Sequence, residues 1–244
     1  MYRFLIDLRT YAGNIHGMVA LFTGVLLAVA FYVLLVGPLH NCVKYSVARK
    51  HGDISFVEYG YNRLSPREHF HLVGFITALL LNISFTQPVY LDDENFKKPR
   101  QSRVLIALSG IGVYVFTFLV SGVAYSILKD FSFFSIQAAT VVPDNVSYFA
   151  YAYYAVYVAV FYVFRISICT IFMNLIPLGP LDAADILYMF LPVNWQDGLR
   201  NNESLISLLL FIVVFLTVGA PDGVFNVVGN EVMLEFSNMI MSWV

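Results

Sequence analysis

Charge is scarce in this chain. Asp, Glu, Lys and Arg make up 12% of its 244 residues, against 59% hydrophobic ones, where soluble domains run at roughly 25% charged. A water-facing surface cannot be built from so little. The net charge of -2 leaves no basic excess for a nucleic acid and no like-charged tail for an electrostatic anchor. Cysteine is nearly absent too: Cys42 and Cys169 both lie in apolar runs, which suits reduced packing residues and excludes a disulfide framework. No glycine-rich phosphate loop, redox motif or nucleophile elbow occurs, so the common soluble enzyme classes lose their support. No inverted repeat points to a transporter. Nor does a small-residue cleavage site come after the first apolar run, which is therefore expected to stay in the mature chain.

What the chain has instead is long apolar runs, among them Met18 to Leu39, Val104 to Leu128, Tyr148 to Phe164 and Leu205 to Val218. Most approach or exceed the ~20 residues a helix needs to cross the hydrocarbon. The expectation is an all-α polytopic membrane protein forming a single domain over residues 1–244, with about 4–6 membrane segments and the lipid bilayer as its solvent. Residues 1–16 read as an interfacial leader and 17–50 as a first long helix that turns polar at its end. Residues 69–90 read as re-entrant, because basic residues crowd both flanks: Lys44, Arg49, Lys50, Arg63 and Arg67 before, and Lys97, Lys98, Arg100 and Arg103 after. Positive charge marks the cytoplasmic face, so a segment flanked twice by it should enter and leave on one side.

Residues 104–128, 148–176 and 204–220 read as spans, with a possible glycosylation acceptor at Asn145 in the external loop between the first two. The span from Tyr148 to Phe164 is crowded with aromatics, which fit an interfacial belt at its start and helix packing deeper in. Residues 224–244 put Phe225, Val228, Val232, Phe236, Met239 and Trp243 on one face and Glu231, Glu235 and Asn238 elsewhere. An interfacial helix is favoured over a last span there, since two glutamates at mid-span are costly without partners.

Ionisable residues in apolar surroundings are candidate functional residues for the same reason. His40, Asn41 and Lys44 form one group, Asp182 and Asp185 a second, and His69 and His71 a third. The stretch "NLIPLGPLDAADIL", with Asn174, Pro177, Leu181 and Asp182, resembles the second motif of the site-2 protease family of intramembrane zinc metalloproteases. "RLSPREHFHLVGF", "QPVYLDDENFKKPRQSRVLIALSG" and the order of the spans are similar to its compact bacterial branch. The resemblance covers roughly residues 20 to 220. It implies a site-2-protease-like helical bundle in a bacterial-type plasma membrane or an organelle membrane derived from it.

The family's first motif, His-Glu-x-x-His, is broken. Its two histidines, at i and i+4, share a helix face as ligands of one zinc, and the glutamate is the general base. Here those positions hold His40, Asn41 and Lys44. An amide cannot take a proton from water, and a protonated lysine has no lone pair for a metal. "SGIGVY" after Leu108 also departs from the family's pattern, and Ala183 and Ala184 stand where it has glycines. The resemblance therefore implies a pseudoprotease that scaffolds, regulates or serves as an accessory subunit for membrane partners. An active peptidase with unusual ligands and a purely structural subunit of a larger membrane complex are the alternatives. Two arrangements could replace the lost chemistry: a Lys44–Asp182 ion pair with no cofactor, or a site for zinc or another divalent ion made by His40, Asp182 and Asp185.

Overall fold

The computed structural model describes residues 15–58, 63–87, 89, 91–130, 148–179, 181–219 and 224–241. The expected leader and the Asn145 acceptor lie largely or wholly outside these residues. Among them every regular element is a helix, with no strand. Helix α1 (Ile15–Phe31) is followed by a π turn (Tyr32–Val36) and α2 (Gly37–His51), so that one helical stretch runs from Ile15 to His51. Two short helices, α3 (Ser55–Glu58) and α4 (Pro66–His69), precede α5 (Leu72–Leu81). Two long helices come next, α6 (Pro99–Asp130) and α7 (Tyr148–Asn174). The chain then continues through α8 (Asp182–Tyr188), α9 (Val193–Asn201), α10 (Glu203–Gly219) and α11 (Val224–Met241). Among the described residues three stretches are long and apolar enough to cross a bilayer: Ile15–His51, Pro99–Lys129 and Tyr151–Asn174. This is an integral, all-α membrane protein.

The bundle is organised on α7. Helix α1 buries Ala20, Gly24 and Ala28 on one row and Leu21, Val25 and Val29 on the next, the i, i+4 repeat of a helix that faces one neighbour. A methyl group on Gly24 would sit 2.6 Å from the Ala155 carbonyl oxygen and 2.7 Å from Val158 Cβ. The bare glycine is thus what lets the two helices touch, the usual device where lipid provides no hydrophobic drive for helices to associate. After the π turn the inward face of α2 carries His40, Asn41, Lys44, Tyr45 and Ala48. A π turn holds an extra residue and so rotates the helix beyond it. Here that rotation aims His40, Asn41 and Lys44 into the bundle.

Helix α5 has ten residues, about half the length a span requires. It ends at Asn82, whose φ of 57° is left-handed, and the extended chain then doubles back. Gly74, in the first turn of α5, lies directly against the Phe85 carbonyl. The return path carries Thr86 and Gln87 to the polar face of α2.

Outside the apolar stretches, Asp53 pins the loop after α2 to the loop before α6. Its carboxylate accepts from the Ser55 amide and hydroxyl at 2.9 and 2.7 Å, from the Asp92 amide at 3.1 Å and from Asn95 at 3.3 Å. Burial alone would raise its pKa, but these hydrogen bonds favour the charged form and the net direction is down. A carboxylate held below its unfolded pKa contributes stability above the ordinary carboxylate range and loses it as pH falls through the lower folded value. We expect wild-type protein to be more thermally stable than Asp53→Asn at neutral pH, with the gap closing on acidification. Melting curves of both proteins across that range in one detergent provide the check.

Candidate functional site

The polar residues of α2 meet α8, the α5 return segment and α6 at one buried point. Lys44 Nζ lies 2.5 Å from Asp182 Oδ1, and His40 Nε2 lies 3.0 Å from Asp182 Oδ2. Both oxygens of the carboxylate are therefore engaged, in side chains almost wholly removed from solvent. His40 Nδ1 faces Asn41 Oδ1 at 2.9 Å, with the Thr86 hydroxyl at 3.4 Å. The His40 ring stacks on Tyr114, centroids 4.6 Å apart and planes 17° from parallel.

Asn41 is oriented from its other end. Its Nδ2 donates to the Gln87 carbonyl at 3.0 Å and approaches His69 Nδ1 at 3.2 Å, while His69 Nε2 is 3.0 Å from the Arg63 carbonyl. The simplest assignment gives His69 its proton on Nε2, leaving Nδ1 to accept from the amide. The amide oxygen is then turned toward His40. Asn41 thus ties α2 to α4 and to the return segment, the work of a clamp.

The other expected residues separate. Asn174 accepts weakly from the Asp182 amide at 3.5 Å while donating to the Thr170 carbonyl at 2.9 Å, so it joins the end of α7 to the start of α8. Pro177 lies in the connecting turn. His71 caps α5, its Nδ1 accepting from the Gly74 amide at 3.1 Å, and lines the cavity beside the cluster. Asp185 does not join His40 and Asp182. It shares a face with Asp182 on the seven-residue α8, but Arg103 of α6 donates to it at 3.3 Å and to Asp93 at 2.6 Å. A buried guanidinium is costly without carboxylate partners, and this draws Asp185 away.

Two further buried residues were not singled out by the sequence, one at the cluster and one away from it. Gly110 of α6 faces the cluster: a Cβ there would sit 2.6 Å from His40 Nε2, 2.8 Å from Asp182 Oδ2 and 2.9 Å from Lys44 Cδ. The one signal was a pair of glycines within an apolar helix. Arg165 is 1% exposed in the middle of α7 and donates to Asn230 of α11 at 2.6 Å. A cation inside the apolar run Tyr162 to Cys169 was the signal there.

A cavity of about 650 Å³ opens onto the cluster, with His40, Lys44, Asp182 and Gln87 at its polar end and Phe85 and Leu208 among its apolar walls. That volume suits a segment of chain or a small ligand. As arranged, the donor set does not fit zinc. Only His40 and Asp182 remain of the three protein ligands expected of such a site, an ammonium lies on one carboxylate oxygen, and both ring nitrogens of His40 face oxygens. Among the described residues no group of three or more His, Cys, Asp or Glu could hold a metal ion.

The chain is 22% identical over 179 residues to a Bacillus subtilis (strain 168) protein named "Putative zinc metalloprotease YwhC", covering 73% of this chain and 75% of that one. No family model and no solved structure matches it.

Proposed function

We propose that this is a site-2-protease-like membrane protein whose metal centre has become an internal ion pair, and that it acts by binding membrane partners without hydrolysing them. The observation that carries the reading is the Lys44 ammonium on the Asp182 carboxylate, 2.5 Å away, beside His40. The similarity to YwhC supports the protease-like ancestry. The chain's own side chains support the loss of chemistry. Position 41 holds an amide that is already committed as a hydrogen-bond clamp. Lys44 supplies a positive charge to Asp182 without a metal. The doubled-back segment after α5 enters and leaves the membrane by one face and forms a wall of the cavity, into which a partner's segment fits.

Restoring the lost groups tests this. Asn41→Glu combined with Lys44→His is expected to take up stoichiometric zinc, because histidines at i and i+4 with Asp182 complete a three-ligand site. The parent protein should take up none under the same conditions. Equal uptake by both, or cleavage of a membrane substrate by the parent that a chelator stops, would return the active-peptidase reading. Whether the chain is a regulator or a subunit is decided by stoichiometry. A regulator dissociates in mild detergent, while a subunit copurifies at a fixed ratio.

A further inference from the structure

Helix α11 packs against the middle of α7. Arg165 falls within three residues of the midpoint of the apolar stretch Tyr151–Asn174 and donates to Asn230 at 2.6 Å. Gly229 backs onto Cys169, with a Cβ there 3.7 Å from its sulfur. Phe236 packs on Phe164 and Phe118, centroids 5.6 and 5.1 Å apart, at the gap left by Gly122. As α11 advances from 229 to 236, its neighbours on α7 retreat from 169 to 164. The two helices therefore run antiparallel, side by side, with α11 against the middle of the apolar stretch Tyr151–Asn174.

That placement favours the spanning alternative for residues 224–244 over the interfacial one, and it makes the two glutamates harder to accommodate. Glu231 and Glu235 are both exposed and, being i and i+4, share a face. Asn238 extends that face, and Leu234 and Met239, each about half exposed, flank it. Carboxylates directed at hydrocarbon are costly and persist in membranes where a partner meets them. Among the described residues a second copy offers no such partner. Among the described residues the cations within the apolar stretches, Lys44, Arg103 and Arg165, are buried, and the exposed ones, such as Arg49, Lys50, Arg100 and Lys129, lie at helix ends.

We propose that the Glu231–Glu235–Asn238 face of α11 docks a transmembrane helix of a different protein, one that carries a lysine or arginine at the depth of the two glutamates. This rests on the reading that the chain binds a membrane partner, and it assigns the surface and the complementary charge.

The test places a photoreactive amino acid at Leu234 in the full chain in its native membrane, with parallel probes at Phe22 on the outer face of α1 and Leu208 in the cavity wall. Irradiation at Leu234 should give one discrete adduct. Its crosslinked peptide should come from a membrane segment of another protein with a lysine or arginine within one helical turn. Glu231→Lys with Glu235→Lys should cut the yield about tenfold or more, as like charges are brought together. Glu231→Gln with Glu235→Gln should cut it less, and its unchanged elution on size exclusion controls for folding. Adducts to lipid or to a second copy, a crosslinked peptide without a basic residue, or a yield indifferent to the charge changes would overturn the proposal. A protein adduct from Leu208 or Phe22 but not Leu234 would overturn this face and leave partner binding standing. No protein adduct from any probe would count against both.

Discussion

Replacing Lys44 with methionine is expected to cost the folded protein about 3–5 kcal/mol, because the Asp182 carboxylate is left buried with only His40 beside it. Methionine keeps the length and the apolar stem, so lost packing is small and the deficit reports the charge. Asp182→Asn alone should be similarly damaging, since it strands the ammonium. The double variant, Lys44→Met with Asp182→Asn, should recover most of the loss, as replacing both members of a buried pair removes the uncompensated charge along with the attraction. Equilibrium unfolding of the four proteins in one detergent gives the coupling energy. Single variants indistinguishable from wild type would mean that the pair does not form.

Gly110 carries the second large expectation. Alanine there would put a methyl group within 3 Å of His40, Asp182 and Lys44 at once. None of these can withdraw freely, because Asp182 holds both His40 and Lys44, and Asn41 holds His40. Overpacking of this kind costs about 1–3 kcal/mol, and here it should also break the His40–Asp182 contact. Gly112, two residues on, has open space around its Cβ position, so Gly112→Ala is the matched control and should be close to neutral. Thermal unfolding of the two variants separates an effect of place from one of helix propensity. Equal shifts would show that the cluster tolerates the methyl group.

The axis of this site was legible in the sequence because it rests on local periodicity. His40, Asn41 and Lys44 sit on one helix, where i and i+4 share a face, and a polar set inside an apolar run has few places to go. Asp182 could be assigned only through its motif, as no local rule links α2 to a residue 138 positions away. The fate of Asp185 was not legible, because three-residue spacing puts it on the face of Asp182 without saying which cation arrives from α6. Nor was the role of Gly110: its function is the absence of a side chain, and the atoms that need the space come from two other helices. The depth of α11 shows the converse. Its glutamates favour the interface, whereas the contacts of Asn230 with Arg165 and of Phe236 in the gap at Gly122 favour a span. Arg165 itself is visible in the sequence as a charge in an apolar run, a signal of the same kind as Lys44 and Asp182.

The proposed function puts an ammonium where a metal would sit in this bundle, and elemental analysis tests that most directly. The full-length protein is purified from its native membrane, equilibrated with excess zinc and passed through a desalting column. With Lys44 on one oxygen of Asp182 and His40 on the other, the account predicts no stoichiometric zinc or other divalent metal. A zinc content that matches the protein concentration and falls with Asp182→Asn would contradict it.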